Sequence, residues 1–414
     1  MFIPAYNEPL DVVEPTVAAA ARLHGFDVRV ALLDDGGRPE MEAMARRYGA
    51  QWISRPEHHG AKAGNVNGAL QHTNAPFVAV LDCDHVPDPN FLQACLAEFD
   101  EPSVALVQTP QYYANWRRGG IAEASWSQQS LFFGTIAPGR DELGAMFCCG
   151  TNVVFRRTAL AAVGGFSPDS LTEDFELSIR LHEFGWTTKY LPEVMASGLG
   201  PEDAGSYTSQ QLRWARGCLA AMPTVLLARL PVRIRLQYLL SAAYWLTGWT
   251  LLVYMTFPVV RILTGEQPIN VPSAEEFMIY WGPYFLAGML TVAVAGAGRY
   301  SYSAFAVMSA SFWIHILASI LTVLRRKGSF AVTPKKGSTD RQIRPVLVPL
   351  LACAVLVGVA CYGLARDQSP ATVTNVSFAS VHVLVLASGI RILLQRPRAA
   401  MHATLGERHM ERVR

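Results

Sequence analysis

Phe77-Val78-Ala79-Val80-Leu81-Asp82-Cys83-Asp84-His85 decides how this chain is read. A short apolar run ends abruptly in two carboxylates one residue apart, as a buried strand does when it empties into a ligand-facing loop. Alternation along an extended chain puts Asp82 and Asp84 on the same side, about 6–7 Å apart. That suits a hard divalent cation which also takes phosphate oxygens, the usual Mg²⁺ arrangement. Solvated loop acids have the same local sequence, so the pair alone decides nothing. His85 has two readings, a further ligand or a residue packed in the loop.

Working outward, Phe2-Ile3, Val28 to Leu33 and Val104-Ala105-Leu106-Val107 are further strand candidates. Helical patterns lie between them at 12–23, 39–48, 63–72 and 90–99. This alternation predicts a mostly parallel α/β sheet with its ligands at the carboxyl ends of the strands. Polar motifs stand there. Pro4-Ala5-Tyr6-Asn7-Glu8-Pro9 follows the first strand and Asp34-Asp35-Gly36-Gly37 the second, where by itself it reads as a turn. His58-His59-Gly60-Ala61-Lys62-Ala63-Gly64-Asn65 offers small residues at a helix start and a lysine for a diphosphate, without being a Walker loop. The twin histidines lack a third partner and are not at helical spacing for zinc. Leu171-Thr172-Glu173-Asp174-Phe175-Glu176 reads as an ordinary helix start, with Thr172 as N-cap and acids in the first turn.

Composition divides the chain. Apolar residues make up 51% and charged ones 16%, against roughly 25% charged in soluble proteins. The acids concentrate in residues 1–235, and long uncharged runs dominate the rest. A net charge of +2 and the lack of a basic stripe interleaved with aromatics argue against nucleic acid. Seven cysteines, none at CxxC spacing, point to a reducing compartment without a disulfide framework or structural zinc. The opening Met1-Phe2-Ile3-Pro4 reads as a strand rather than a signal peptide.

Taken in order, Tyr6-Asn7-Glu8-Pro9, Asp34-Asp35-Gly36, His59 to Asn65, Asp82-Cys83-Asp84-His85, Gln108-Thr109-Pro110, Phe147-Cys148-Cys149-Gly150, Thr172-Glu173-Asp174 and Gln210-Gln211-Leu212-Arg213-Trp214 form one set. This set resembles cellulose synthase and its relatives, processive family 2 glycosyltransferases with a GT-A fold. The resemblance implies an α/β GT-A (Rossmann-like) domain over 1–235, followed by an α-helical transmembrane region over 236–394 and a short basic tail over 395–414. It implies that Tyr6, Glu8 and Asp34 hold the nucleoside, and that Lys62 and Arg213 contact the diphosphate of a UDP-sugar. Asp82, Asp84 and His85 would hold Mg²⁺ or Mn²⁺, with Asp82 also facing the nucleotide. Asp174 would be the catalytic base. Cys149, Gly150, Glu173, Gln210 and Trp214 would line the acceptor end of the polymer channel.

Five runs carry no charge: Tyr238 to Val260, Phe277 to Gly298, Tyr300 to Leu324, Val346 to Ala365 and Gln368 to Ile390. Each is long enough for about 30 Å of hydrocarbon. The third follows the second after Arg299 alone and bears a polar stripe, Ser311, His315, Ser319 and Thr322, so it reads as an interfacial helix over 300–324. Four spans are expected, at about 238–262, 277–298, 346–365 and 370–391. The basic stretch 325–344 and the basic tail then share the cytosolic side with residues 1–236, in an inner-membrane, multi-pass protein. Phe330-Ala331-Val332-Thr333-Pro334-Lys335 resembles the FxVTxK gating loop of the same family, which implies a lid over 328–340 with Phe330, Val332, Thr333 and Lys335 over the donor pocket.

The expected activity is inverting polymerisation of a cellulose-like β-glucan from UDP-glucose, with the growing glucan as acceptor and passage to a membrane channel. Chitin- and hyaluronan-type synthases share QxxRW, which keeps N-acetylglucosamine open as the donor sugar. Curdlan or mixed-linkage synthesis, a non-processive lipid-acceptor transferase and a scaffold with an inactive domain are the other readings. Relatives of this kind carry membrane helices ahead of the catalytic domain, so upstream helices and periplasmic accessory subunits are expected besides this chain. The tail after Ile390 is only 24 residues, so a cyclic-di-GMP-binding barrel is not expected within this chain.

Overall fold

Runs of aliphatic and β-branched residues, each closed by a polar or glycine-bearing loop, set the strands. The computed structural model describes residues 1–266, 274–326 and 342–396. Its strands are β1 (Phe2–Ala5), β2 (Ala31–Asp34), β3 (Gln51–Ile53), β4 (Phe77–Val80) and β5 (Val86–Pro87). Then come β6 (Val104–Gln108), β7 (Tyr112–Tyr113), β8 (Val153–Arg156), β9 (Thr187–Tyr190) and β10 (Ala196–Gly198). Seven form a mixed sheet in the order β3-β2-β1-β4-β8-β6-β9. Neighbours run parallel except at β8, which is antiparallel to both β4 and β6. β5, β10 and β7 make a small second sheet. The order reverses between β1 and β4, which opens the crevice where α/β sheets take their ligands.

Helices α1 (Leu10–Ala20), α2 (Pro39–Arg47), α3 (Ala61–Gln71) and α4 (Phe91–Ala97) lie within a few residues of the expected patterns. Side-chain alternation splits the core between the two sheet faces. Phe2 and Leu33 pack with Val66, Phe155 and Leu177 on one face, and Ile3 and Leu32 with Val13, Val17 and Met41 on the other. β3 escapes a sequence reading because it is three residues long and not fully buried on any of them.

α5 (Gly120–Leu131) runs through a π-helical turn at Phe132–Ile136 into α6 (Ala137–Glu142). α7 (Arg157–Ala162) and α8 (Glu173–Glu183) complete the sheet's surroundings, α9 (Ala204–Ala220) packs on helices further along the chain, and α10 (Met222–Leu227) leads away. The rest is helical: α11 (Val232–Tyr244), α12 (Thr247–Thr264), α13 (Ala274–Gly296), α14 (Tyr302–Ala310), α15 (Phe312–Val323), α16 (Leu347–Arg366) and α17 (Pro370–Leu393). Among the described residues, Thr247–Thr264, Met278–Gly296, Arg344–Arg366 and Pro370–Leu393 are long and apolar enough to cross a membrane.

Two expectations change. The uncharged run from Tyr238 is not one helix, because the chain breaks after Tyr244 and the spanning-length helix starts at Thr247. Tyr238 is fully buried against α8 and α10, so the boundary expected at 235 falls inside a helix that packs on the N-terminal domain. The run 300–324 is bent by 47° into α14 and α15. Two residues of its polar stripe, His315 and Ser319, meet α12. His315 Nδ1 lies 3.1 Å from Thr247 Oγ1, and Trp249 Nε1 donates to Ser319 Oγ at 2.9 Å. Polar groups on apolar helices satisfy one another in this way. The proposed lid residues Phe330, Val332, Thr333 and Lys335, and the tail beyond Arg396, lie outside the described residues.

Candidate active site

The ends of β1, β2 and β4 deliver their loops to one edge of the sheet. Because β8 is antiparallel, it is the segment before it, Phe147 to Asn152, that arrives at the same edge. Asp34, the last residue of β2, is completely buried. Its carboxylate accepts from the Arg38 amide at 2.7 Å and the Arg38 guanidinium at 3.0 Å. Asp35 is gripped by both ends of the Arg55 guanidinium at 2.7 and 2.8 Å. Arg55 also holds the His59 and Ala61 carbonyls, both at 2.8 Å, and so ties the glycine-bearing loop to the β2 end. A side chain at Gly64 would lie 2.0 Å from the His59 carbonyl oxygen, so only glycine fits. Glu8 accepts from the Tyr6 amide at 2.7 Å, and the Tyr6 ring, 40% exposed, stands edge-on to His58. The turn reading of Asp34-Asp35-Gly36-Gly37 is correct for the backbone, since the Gly37 amide donates to the Asp34 carbonyl.

Lys62, in the first turn of α3, donates to Asp82 at 2.5 Å and to the Gly150 carbonyl at 2.7 Å. It thereby joins the β4 loop to the segment before β8. The Asp82 amide donates to Thr151 Oγ1 at 2.7 Å. Burial works to lower the proton affinity of the Lys62 ammonium, but Asp82, Glu173 and Asp174 outweigh it and raise its pKa above the usual lysine range. Asp84 and His85 are buried, with His85 Nδ1 3.4 Å from Asp84 Oδ1 and the Leu199 amide donating to Asp84.

Asp174 opens α8. Burial, then the neighbouring charge of Glu173, pushes its carboxyl up to about 7, while the Phe175 amide, Lys62 and Arg213 pull it down. Gly150 adopts φ +84°, and a Cβ there would sit 2.7 Å from Asp174 Oδ2. Glycine is therefore what lets the segment pass under the carboxylate. Thr172 stands at the N-cap position, but its hydroxyl does not cap the helix. It is buried instead against Gly217 of α9, where a Cβ would come within 2.2 Å of Thr172 Cγ2. That contact brings the helix bearing Gln210, Arg213 and Trp214 against the start of α8. α9 is capped by Asp203, which accepts from the Ser206 amide at 2.9 Å. Trp214 packs with Leu219, Trp245 and Ala318, at the junction of α9 with the membrane-side helices.

Several positioning residues had no assigned role in the sequence reading. Gln108, fully buried at the end of β6, accepts from the Cys149 amide at 2.7 Å and donates to the Thr109 and Thr151 carbonyls. Gln111 donates to the Cys149 carbonyl at 2.8 Å, and Asn152, at φ +56°, donates to Pro110. The quoted Gln108-Thr109-Pro110 was the available signal. Arg38 and Arg55 gave none, because their partners are known only once the loops are folded.

The donor set Asp82, Asp84 and His85 fits a divalent cation. One ligand atom from each lies within 4.8 Å of the others. His85 Nε2 is buried without a hydrogen-bond partner, as a ligating nitrogen would be. Two carboxylates and an imidazole are hard to borderline donors that suit Mg²⁺ or Mn²⁺.

Comparison with known proteins agrees with this architecture. The chain is 33% identical over 358 residues to cellulose synthase 1 of Komagataeibacter xylinus, which takes in 82% of this chain and 23% of that protein. It is 30% identical over 414 residues to the cellulose synthase catalytic subunit (UDP-forming) of Pseudomonas fluorescens strain SBW25, with 95% and 56% covered. The chain thus spans about half the length, or less, of the curated relatives it matches. Among solved structures, the mannosyltransferase PcManGT of Pyrobaculum calidifontis, in complex with GDP-Man and Mn²⁺, shares the fold. It superposes with a TM-score of 0.57 at 16% identity, covering 78% of this chain and 86% of that one. The sequence model of glycosyl transferase family group 2 matches residues 77–357, from the β4 strand into α16, and the chain belongs to that family.

Proposed function

We propose that this chain is the core of a processive, membrane-embedded inverting glycosyltransferase that extends a β-glucan from UDP-glucose. The observation that carries the reading is the meeting of Asp174, Lys62, Asp82 and Gly150 at the sheet edge, beside the helix that bears Gln210, Arg213 and Trp214. The names of the cellulose synthase relatives support UDP-glucose as donor.

In this mechanism the acceptor hydroxyl loses its proton to the Asp174 carboxylate as its oxygen bonds to the anomeric carbon. The bond from that carbon to the diphosphate breaks, and UDP leaves. One base suffices for inversion, since Lys62 and Arg213 neutralise the departing diphosphate. Asp82, Asp84 and His85 would hold a divalent cation, which supplies further charge neutralisation there. Tyr6, Glu8 and Asp34 border the nucleoside, with Arg38 and Arg55 fixing the loops that carry them. Cys149 and Gly150 form the floor on which the acceptor rests, Glu173 lies beside the base, and Gln210 and Trp214 border the exit. Polymer would pass among the membrane helices, with the lid at 328–340 closing over the donor and accessory export subunits receiving the product.

Membranes bearing the chain, incubated with UDP-glucose and UDP-N-acetylglucosamine separately and followed by linkage-specific digestion, test this reading. Glucanase-sensitive polymer from UDP-glucose and Mg²⁺ is expected. Polymer from UDP-N-acetylglucosamine alone, or none from either, would overturn the assigned donor.

A further inference from the structure

One face of α8 and the segment before β8 meet rung by rung. Asp174 faces Gly150. Ser178 Oγ accepts from the Cys148 amide at 2.8 Å and donates back to the Asp174 carbonyl at 2.9 Å. His182 Nε2 lies 3.1 Å from Thr188 Oγ1, which donates to the Met146 carbonyl at 2.6 Å. Helix positions 174, 178 and 182 thus answer segment positions 150, 148 and 146. The match is geometric: four residues of α-helix advance about 6 Å and two of extended chain about 6.6 Å. The two elements stay in step for three rungs.

The third rung reaches beyond the domain. His182 Nδ1 lies 2.8 Å from the Tyr238 hydroxyl of α11. The direction of each bond follows from the chemistry. The Met146 carbonyl can only accept, so Thr188 spends its hydrogen there and must accept from His182 Nε2–H. Burial drives His182 down to about 4, so the ring is neutral and Nδ1 accepts from Tyr238. This branch runs one way, from Tyr238 through His182 and Thr188 to the floor, and the Tyr238 hydroxyl also meets Ser178 of the second rung.

α11 grips the floor a second time. Arg140, 4% exposed, sets its guanidinium 4.7 Å over the Phe147 ring. It donates to the Gln237 carbonyl at 3.1 Å and to Ser241 Oγ at 2.6 Å, on either side of Tyr238. The Phe147, Phe175 and Tyr238 rings pack together, one each from floor, α8 and α11. Only Trp245 and Leu246 separate α11 from the spanning-length α12.

Resting on the functional reading above, we propose that Tyr238, His182 and Thr188 are positioning residues that hold the acceptor floor at a fixed height under Asp174. The same chain references that height to the first spanning helix. None of the three touches the reacting atoms. Their effect falls on where an acceptor hydroxyl sits, so donor binding is untouched.

The test uses the full chain in lipid nanodiscs, with Tyr238→Phe, Thr188→Val and the double variant. Each single substitution removes one hydroxyl and keeps nearly the same shape. Two quantities are measured, amide hydrogen exchange at Met146 to Gly150 and the ratio of sugar transferred to donor hydrolysed. Each single variant should speed exchange there and lower the ratio by about tenfold, with donor KM within about twofold and β4 exchange unchanged. The double variant should be no worse than Tyr238→Phe alone, because Thr188→Val cuts a branch that Tyr238→Phe has already cut. Unchanged exchange in Tyr238→Phe, or effects that multiply in the double variant, would overturn the proposal. A chain that uses no UDP-sugar would defeat the functional reading instead, and the exchange arm would still decide whether the coupling exists.

Discussion

The two ends of the cleft treat their acids in opposite ways. At the β2 end, Asp34 and Asp35 are buried, and each is matched by an arginine from its own neighbourhood, Arg38 and Arg55. At the start of α8, burial and then the charge of Glu173 raise Asp174, and Lys62 and Arg213 compensate only in part, so that it holds its proton up to about 7. Fixed ion pairs give a rigid rim suited to holding a ligand. A carboxyl poised near neutrality is suited to taking a proton.

The largest break in this contrast is Asp174→Asn. It keeps the shape and removes the proposed base, and sugar transfer should fall by about 10³-fold with UDP binding unchanged, as scintillation counting of polymer and nucleotide titration would show. Gly150→Ala comes next. Its Cβ would press on Asp174 Oδ2 in a left-handed backbone, and transfer should drop by about 100-fold with donor KM retained in steady-state kinetics. A smaller effect follows from pH. Asp174 is raised to about 7, so the competent carboxylate is lost as pH falls through that value. Transfer at pH 6 should be about tenfold below its alkaline plateau, with a slope of one in the logarithmic profile. Least of all, Arg38→Met leaves Asp34 without its guanidinium. Donor KM should rise by about fivefold while the pH profile keeps its inflection. A shift of that inflection would show that the two ends are coupled after all.

Much of the site was legible because its residues sit in local strand-to-loop patterns. Asp82 and Asp84 follow an apolar run, Lys62 opens a helix, and Asp174 lies in a first turn. What stayed hidden depends on pairings across the chain. Gln108 reaches a segment some forty residues away, and Arg140 reaches one about a hundred residues on. Thr172 shows how a correct local pattern is overridden, since its side chain packs against Gly217 and its buried hydroxyl does not cap. Tyr238 was read as the first residue of a membrane span because no charge follows it before Arg261. Its hydroxyl is satisfied by a histidine from another helix, which hydropathy does not register.

β8 has a consequence for how the protein is made. It is the strand that joins β3-β2-β1-β4 to β6 and β9, pairing with Phe77–Val80 on one side and Leu106–Gln108 on the other. During synthesis β4 and β6 emerge first, with their facing edges bare until Arg156 has followed. Closure needs a strand from far along the chain, so loop-closure entropy opposes it until late. β1, β2, β3 and β4 can assemble early, whereas the segment beneath Asp174 takes its place only once β8 has inserted. Nascent chains that stall before residue 156 would therefore expose the β4 edge and both edges of β6, since β9 has not been made either, and these are the ones a chaperone would have to shield.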